Sequence, residues 1–266
     1  MEILSLSRQT DLIFSEFEGE ICHRKNYIAV KTRSNPGYHW GNYLIFESLP
    51  DEAAVEQWPE IFRREFDYYE AYRHMLFTWN PGSTEQAVIE LFQKQGFEFQ
   101  RNLVLSTSQL NPPKKMNNEI KIRPFQAMSD WEQSVRLHIL CSDPTFGKKS
   151  FELFKRRQFE TYQKMIAAGM GNRFGAFIGN QLVADLGLFH RNGLARYQNV
   201  ITHPEYRKRG ICSTLVFFAG KIALEKWGVY RLVMEADPEY HAARIYESLG
   251  FRPTEENHCL TWWKHD

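Results

Sequence analysis

Between residues 200 and 215 the chain reads Val-Ile-Thr-His-Pro-Glu-Tyr-Arg-Lys-Arg-Gly-Ile-Cys-Ser-Thr-Leu, and this segment holds the residue types best placed to do chemistry. The β-branched run Val200-Ile201-Thr202 reads as a strand end, while Leu215, Phe218, Ala219, Ile222 and Ala223 recur at helical spacing downstream. A helix that begins just after Gly210 has N–H groups with no partner inside the helix, facing outward with the positive end of its dipole. Such a mouth suits a phosphate or pyrophosphate, held by the N–H groups from Lys208 through Arg209, Gly210, Ile211 and Cys212 to Ser213. Arg207, Lys208 and Arg209 add charge there, and Gly210 would let the backbone approach an anion closely. On these residues alone a solvated basic turn before an ordinary helix fits as well as a phosphate site.

The strands and helices around this segment are legible as well. Ile120 to Pro124 alternates as one strand, and helices are expected over 129–141 and 149–168, the second stopping at Gly169. Strands at 173–178, 182–189 and 194–202 follow, joined across Gly179-Asn180 and Asn192-Gly193, which predicts an antiparallel meander. After the basic loop and its helix, residues 231–236 read as a buried strand, 241–249 as a short helix closed by Gly250, and 258–263 as a last strand. Asn111-Pro112-Pro113-Lys114-Lys115, followed by Asn117-Asn118, has turn formers and charge without periodicity, so a domain boundary is expected near residue 117. The upstream part repeats the downstream ending in outline: strand 75–79, helix 84–95, Gly96-Phe97, strand 102–106. Phe92 and Tyr246 each stand four residues before the Gly of a Gly-Phe pair.

Composition limits the function classes. With 43% hydrophobic and 24% charged residues in 266, the chain is an ordered globular protein rather than a disordered or coiled-coil one. Thirty-three Lys and Arg against 32 Asp and Glu leave a net charge of +1, so no global field draws in nucleic acid or anionic lipid, and neither is expected as a partner. The four cysteines are scattered without a CxxC pair, which fits reduced thiols and no structural zinc. No secretory signal and no long apolar span are visible, which predicts a cytoplasmic protein that does not enter a membrane.

The pattern Arg207-x-x-Gly210-x-Cys212 after a strand and before an apolar helix resembles the acyl-CoA-binding motif of the GNAT superfamily of N-acetyltransferases, Gln/Arg-x-x-Gly-x-Gly/Ala. Downstream, Ala242-Ala-Arg-Ile-Tyr246-Glu-Ser-Leu-Gly250-Phe251 resembles the same family's Ala-containing helix that bears a Tyr and ends in Gly-Phe. The two motifs stand in the family's order with a strand between them, and the likeness covers roughly residues 118–266. It departs at Cys212, where the family has Gly or Ala, and at Glu239, where the family often has Asn.

The resemblance implies an α/β fold, a mixed sheet in tandem GNAT-like halves: residues 1–117 degenerate, residues 118–266 catalytic. It implies transfer of an acetyl group from acetyl-CoA to a small-molecule or peptide amine, with no metal; the oligomeric state, monomer or homodimer, is left open. Backbone groups of Val200, Ile201 and Thr202 would pair with the pantetheine arm like an added strand. Tyr246 would protonate the departing thiolate, although among Ile245, Leu249 and Phe251 it also fits a core tyrosine. The amine must lose a proton before attack, and Glu235 is the first choice of base, ahead of Asp185 and His190. Each of the three also fits a surface charge or a satisfied polar residue. A non-catalytic acyl-CoA sensor and an aminoacyl-tRNA-dependent transferase are the rival functions.

Other signals are set aside. Gly169 to Gly175 follows a helix and enters a strand, the reverse of a dinucleotide fingerprint, and reads as a loop. His138 and Cys141 share a helical face without a second ligand pair, so packing is expected of them. The ring-rich turn from Asn35 to Asn42 fits either an acceptor pocket or a turn anchored by aromatics. The upstream half lacks the basic glycine loop and has Phe92 in place of a tyrosine, so it is expected to bind no acyl-CoA and to shape the acceptor site or support the fold.

Overall fold

A computed structural model describes residues 3, 5–67, 72–80, 82, 85–142, 147–236 and 242–264. The chain divides into two compact units, Met1–Val104 with Glu255–Asp266, and Leu105–Thr254. The sequence alone suggests a single boundary near 117; the compact units divide at 104/105 and 254/255, and the last strand is built into the first unit.

The first unit begins with α1 (Leu6–Glu18), β1 (Glu20–His23), β2 (Tyr27–Lys31) and β3 (Asn42–Phe46), continues through α2 (Ala54–Glu65), β4 (His74–Trp79) and α3 (Gln86–Lys94), and enters β5 (Glu98–Thr107). β1, β2 and β3 form an antiparallel meander, β3 and β4 are parallel across α2, and the C-terminal strand β11 (Arg252–Trp263) pairs antiparallel with β4 from Cys259↔Thr78 to Trp263↔His74. Strand alternation sorts side chains to two faces. On one, Phe46 stacks on Trp58 at 3.9 Å among Phe62, Phe77 and Phe92; on the other lie Leu12, Ile28, Tyr43, Ile45 and Cys259. Part of the chain's aromatic wealth is this core, in which each large ring contributes roughly 3–5 kcal/mol against truncation to Ala.

The turn from Asn35 to Asn42 is anchored within this unit. The buried Asn42 amide accepts from Thr32 N–H and donates to the Asn35 and Tyr38 carbonyls, and His39 packs 5.1 Å from the Trp263 ring. Of the two readings of this turn, the anchored one describes its side chains.

The second unit runs β6 (Lys121–Pro124), α4 (Met128–Leu140), α5 (Lys148–Ala167), β7 (Gly171–Ile178), β8 (Gln181–Arg191), β9 (Leu194–Thr202), α6 (Ile211–Lys226), β10 (Arg231–Ala236) and α7 (Ala242–Ser248). The strand order is β10-β9-β8-β7-β6, with β6 to β9 antiparallel and β9-β10 parallel. The strand expected from 173 begins two residues earlier, inside the stretch read as a loop: Gly171 pairs with Phe189, and its Cβ would fall 2.2 Å from the Leu188 carbonyl, so only glycine fits the close crossing. α4 and α5 cover one face, where Tyr162 packs on Phe189 at 4.7 Å; α6 covers the other, where the Tyr197 hydroxyl donates to the Val216 carbonyl at 2.8 Å. No helix among the described residues is long and apolar enough to cross a membrane.

Candidate functional site

β9 and β10 pair only from Leu194↔Arg231 to Arg196↔Val233. Beyond that rung no pairing joins them, although β9 runs on to Thr202 and β10 to Ala236. On its other edge β9 stays paired with β8, but the register shifts between Asp185↔Ile201 and Gly187↔Gln198, so Asn199 and Val200 together face Leu186. This is a β-bulge, and Asn199 adopts φ +51 there, a left-handed conformation that Asn tolerates better than most residues. The half-buried Val200, Ile201 and Thr202 thus sit just past the bulge, on the stretch of β9 that β10 has left.

From Thr202 the chain makes a single 3-10 turn at Pro204–Tyr206 and enters α6 through Arg207 to Gly210. Lys208 at φ +61 and Gly210 at φ +77 alternate with residues of negative φ, the backbone signature of a concave nest of N–H groups. The N–H groups of Lys208, Arg209, Gly210, Ile211, Cys212 and Ser213 have no acceptor among the described residues, whereas the Thr214 N–H returns to the Gly210 carbonyl at 3.1 Å. Ile211 is buried, and burial pushes the Cys212 thiol up to about 12, so it stays protonated.

Gly210 has a different reason for being glycine from the one expected. A Cβ there would lie 2.7 Å from the Lys115 carbonyl, because the segment after β5 passes behind it; the Asn117 side chain donates to the Arg209 carbonyl at 2.9 Å and the Asn117 N–H donates to Thr214 Oγ1 at 3.0 Å. The space a side chain would need is filled by protein, and residues 109–119 brace the α6 entry rather than serving only as a linker. The three cations also divide their work. Arg207 Nε donates to the Thr202 carbonyl at 3.2 Å, which pins the end of β9, and the Arg209 guanidinium lies 5.2 Å from the Tyr206 ring centre. Lys208 is exposed and has no such contact.

Tyr246 is buried on α7 with its ring 6.3 Å from Phe251, which in turn lies 5.9 Å from Tyr197, the β9 residue just beyond the last paired rung. The helix thus brings the tyrosine to the ring cluster where the strands part. Glu235 forms an ion pair with Arg196 at 3.3 Å. Asp185 is fully buried, paired with Arg173 and 3.3 Å from His138 Nε2; although its burial opposes ionisation, Arg173 and His138 hold its carboxyl below the ordinary range. Burial lowers His138 to about 4, so it is neutral and hydrogen-bonded rather than merely packed. His190 stacks 5.1 Å from Trp227. Glu239 lies outside the described residues.

Sequence reasoning missed the residues beside the bulge. The Asn199 amide donates to Tyr162 Oη at 3.0 Å and Gln158 Oε1 at 3.2 Å, and its Oδ1 accepts from Lys155 Nζ at 3.0 Å. Lys155 is buried, and desolvation with nearby Arg173 lowers it to about 7. Among the described residues no group of three or more His, Cys, Asp or Glu could hold a metal ion.

A parallel pair that opens beside a bulged strand thus stands next to a helix entered through a nest of amides. Residues 171–253 match the family model described as the acetyltransferase (GNAT) domain, so the second unit carries a GNAT domain. Two solved structures have the same overall fold: a functionally unknown conserved protein from Staphylococcus epidermidis ATCC 12228 (TM-score 0.79, 13% identity, covering 93% of this chain and 95% of that one) and a GCN5-related N-acetyltransferase from Kribbella flavida (TM-score 0.70, 14% identity, 98% and 96%). A tandem GNAT protein from the clavulanic acid biosynthesis pathway is also similar, at TM-score 0.56 and 11% identity over 97% of this chain and 88% of that one. The chain therefore has the tandem GNAT fold. No curated protein matches its sequence.

Proposed function

We propose that the second unit moves an acetyl group from acetyl-CoA to a primary amine of a small molecule or peptide, by direct attack in a ternary complex. The observation that carries this reading is that a gap in strand pairing and a nest of unpartnered amides occur at the two ends of one stretch, Val200 to Ser213. Backbone groups of Val200, Ile201 and Thr202 take the place of the missing strand and pair with the pantetheine amides. The N–H groups from Lys208 to Ser213 hold the pyrophosphate, and Lys208 adds a mobile positive charge. Tyr246 donates its proton to the departing thiolate; its place in the ring cluster at the parting of the strands supports that role.

Among the described residues nothing comparable supports a second donor site in the first unit. There the entry to α2 is capped by an acid, with the Ala54 N–H donating to Asp51 Oδ1 at 2.9 Å, so a carboxylate already sits where an anion would bind. Phe92, fully buried, has no proton to give. The first unit supports the fold, and the enzyme works in the cytoplasm, where its four free cysteines stay reduced.

The test is CoA release from acetyl-CoA across a panel of polyamines, amino acids and peptides with free N-termini. Amine-dependent release establishes the transferase. Binding of acetyl-CoA with no release for any amine replaces it with the sensor reading, and absence of binding removes both.

A further inference from the structure

The buried lysine beside the bulge is not explained by any of the roles above. We propose that Lys155 is the proton acceptor for the incoming amine, a catalytic base supplied by α5 through the bulge of β9. The proposal rests on the pantetheine placement just given, because Asn199 directly precedes the stretch assigned to the thioester arm.

The argument is first one of hydrogen-bond capacity. A neutral amine has two N–H donors and one lone pair; an ammonium has three donors and no acceptor. Lys155 Nζ has two oxygen partners among the described residues, Gln158 Oε1 and Asn199 Oδ1, each at 3.0 Å. Those two bonds satisfy the neutral form completely and leave its lone pair open. In the charged form the third N–H would be buried without an oxygen, beside only the Phe154 and Phe151 rings at 5.3 and 5.6 Å. The two carbonyls are themselves fixed, since the Asn199 amide also donates to Gln158 and Tyr162.

The charged surroundings agree. Arg173 on β7 opposes a proton on Lys155, while Asp185 on β8 favours one but is already paired with Arg173. His138 on α4 is neutral, and the Tyr162 hydroxyl on α5 is pushed up by burial and carries no charge. With desolvation the sum holds Lys155 at about 7, where an amine both accepts a proton from an alkylammonium and returns it to solvent. Glu235, by contrast, is already the counterion of Arg196.

The step balances. Lys155 Nζ takes one proton from the substrate ammonium, the freed nitrogen forms the C–N bond to the thioester carbonyl, and the C–S bond breaks. The thiolate is protonated through Tyr246, the amide nitrogen sheds its second proton to restore that tyrosine, and Lys155 releases its own to solvent.

The test compares wild type, Lys155→Met and Lys155→Arg with two nucleophiles: an alkylamine that turns over in the panel, and hydroxylamine, which is largely uncharged at neutral pH. With the alkylamine both variants should lose about 10²- to 10⁴-fold in kcat at unchanged KM for acetyl-CoA, because neither side chain accepts a proton at neutral pH. With hydroxylamine, which needs no prior deprotonation, their rates should stay within a few-fold of wild type. Equal losses for both nucleophiles, rescue by Arg, or no loss at all overturns the proposal. If the variants do not fold, the wild-type protein still decides it: the Lys155 13Cε resonance should titrate near pH 7, and titration only above about pH 10 refutes the assignment. A wild type that releases no CoA with any amine instead removes the transferase reading, and this proposal with it.

Discussion

Arg196 Nη2 lies 3.3 Å from Glu235 Oε1, an ion pair between a buried guanidinium and a half-buried carboxylate that links the last paired rung of β9 to the far end of β10. It fastens the two strands at the point where they begin to part. Removing the acid withdraws compensation from a buried guanidinium, which costs more than the pair contributes. Glu235→Gln should therefore lower stability by roughly 1–3 kcal/mol, read from denaturant melts, while CoA release stays within a few-fold of wild type. Lost turnover at undiminished stability would make Glu235 the base.

Tyr246→Phe keeps the ring that packs near Phe251 and deletes the proton donor. Turnover should fall about 10²- to 10⁴-fold with acetyl-CoA affinity nearly unchanged, as measured by steady-state rates and calorimetry. Full turnover would leave Tyr246 as a core residue only.

Lys208→Glu reverses the exposed charge at the nest without touching a packed side chain, so acetyl-CoA binding should weaken about tenfold or more, and less so at high salt. Gly210→Ala acts differently. It meets the Lys115 carbonyl and must hold a left-handed φ of +77, so it should lose roughly 1–3 kcal/mol of stability along with CoA binding. Parallel melting curves separate the two effects.

Stability should rise with pH across the alkaline range. Lys155 is held at about 7 in the folded chain against an ordinary 10.5. Above pH 10.5 both folded and unfolded chains carry it neutral; between 10.5 and 7 the unfolded chain takes up the proton first, so this contribution to stability is lost as pH falls through that window. Lys155→Met should flatten the slope of melting temperature against pH over that range. An unaltered slope would mean the lysine is charged when folded.

The second unit was largely legible because its strands alternate cleanly and its turns carry Gly179-Asn180 and Asn192-Gly193. The helix 211–226 and the strands 194–202 and 231–236 fall where the pattern puts them. α1 buries Ser7, Arg8 and Thr10 beside Leu12, Ile13 and Phe14, so the apolar residues alone do not mark out its inner face. The bulge at Asn199 is one extra residue in a strand, which no pattern announces. Lys155 stands in a segment with Lys148, Lys149, Arg156 and Arg157 that looks like a solvated face; only its partner on β9, Asn199, distant in sequence, reveals that one of these cations is inside. The helix entry after Gly210 is legible from the sequence, but the reason for that glycine is not, because Lys115 is distant in sequence.

The placement of β11 within the first unit sets an order of events during synthesis. β4 gains its antiparallel partner only when residues 259–263 have been made, after the whole of the second unit. Until then the nascent first unit carries an open edge beside its ring-filled core, a template for unwanted pairing. A fragment that stops at residue 117 would inherit that open edge permanently, and its tendency to self-associate would reflect the missing strand rather than any natural assembly.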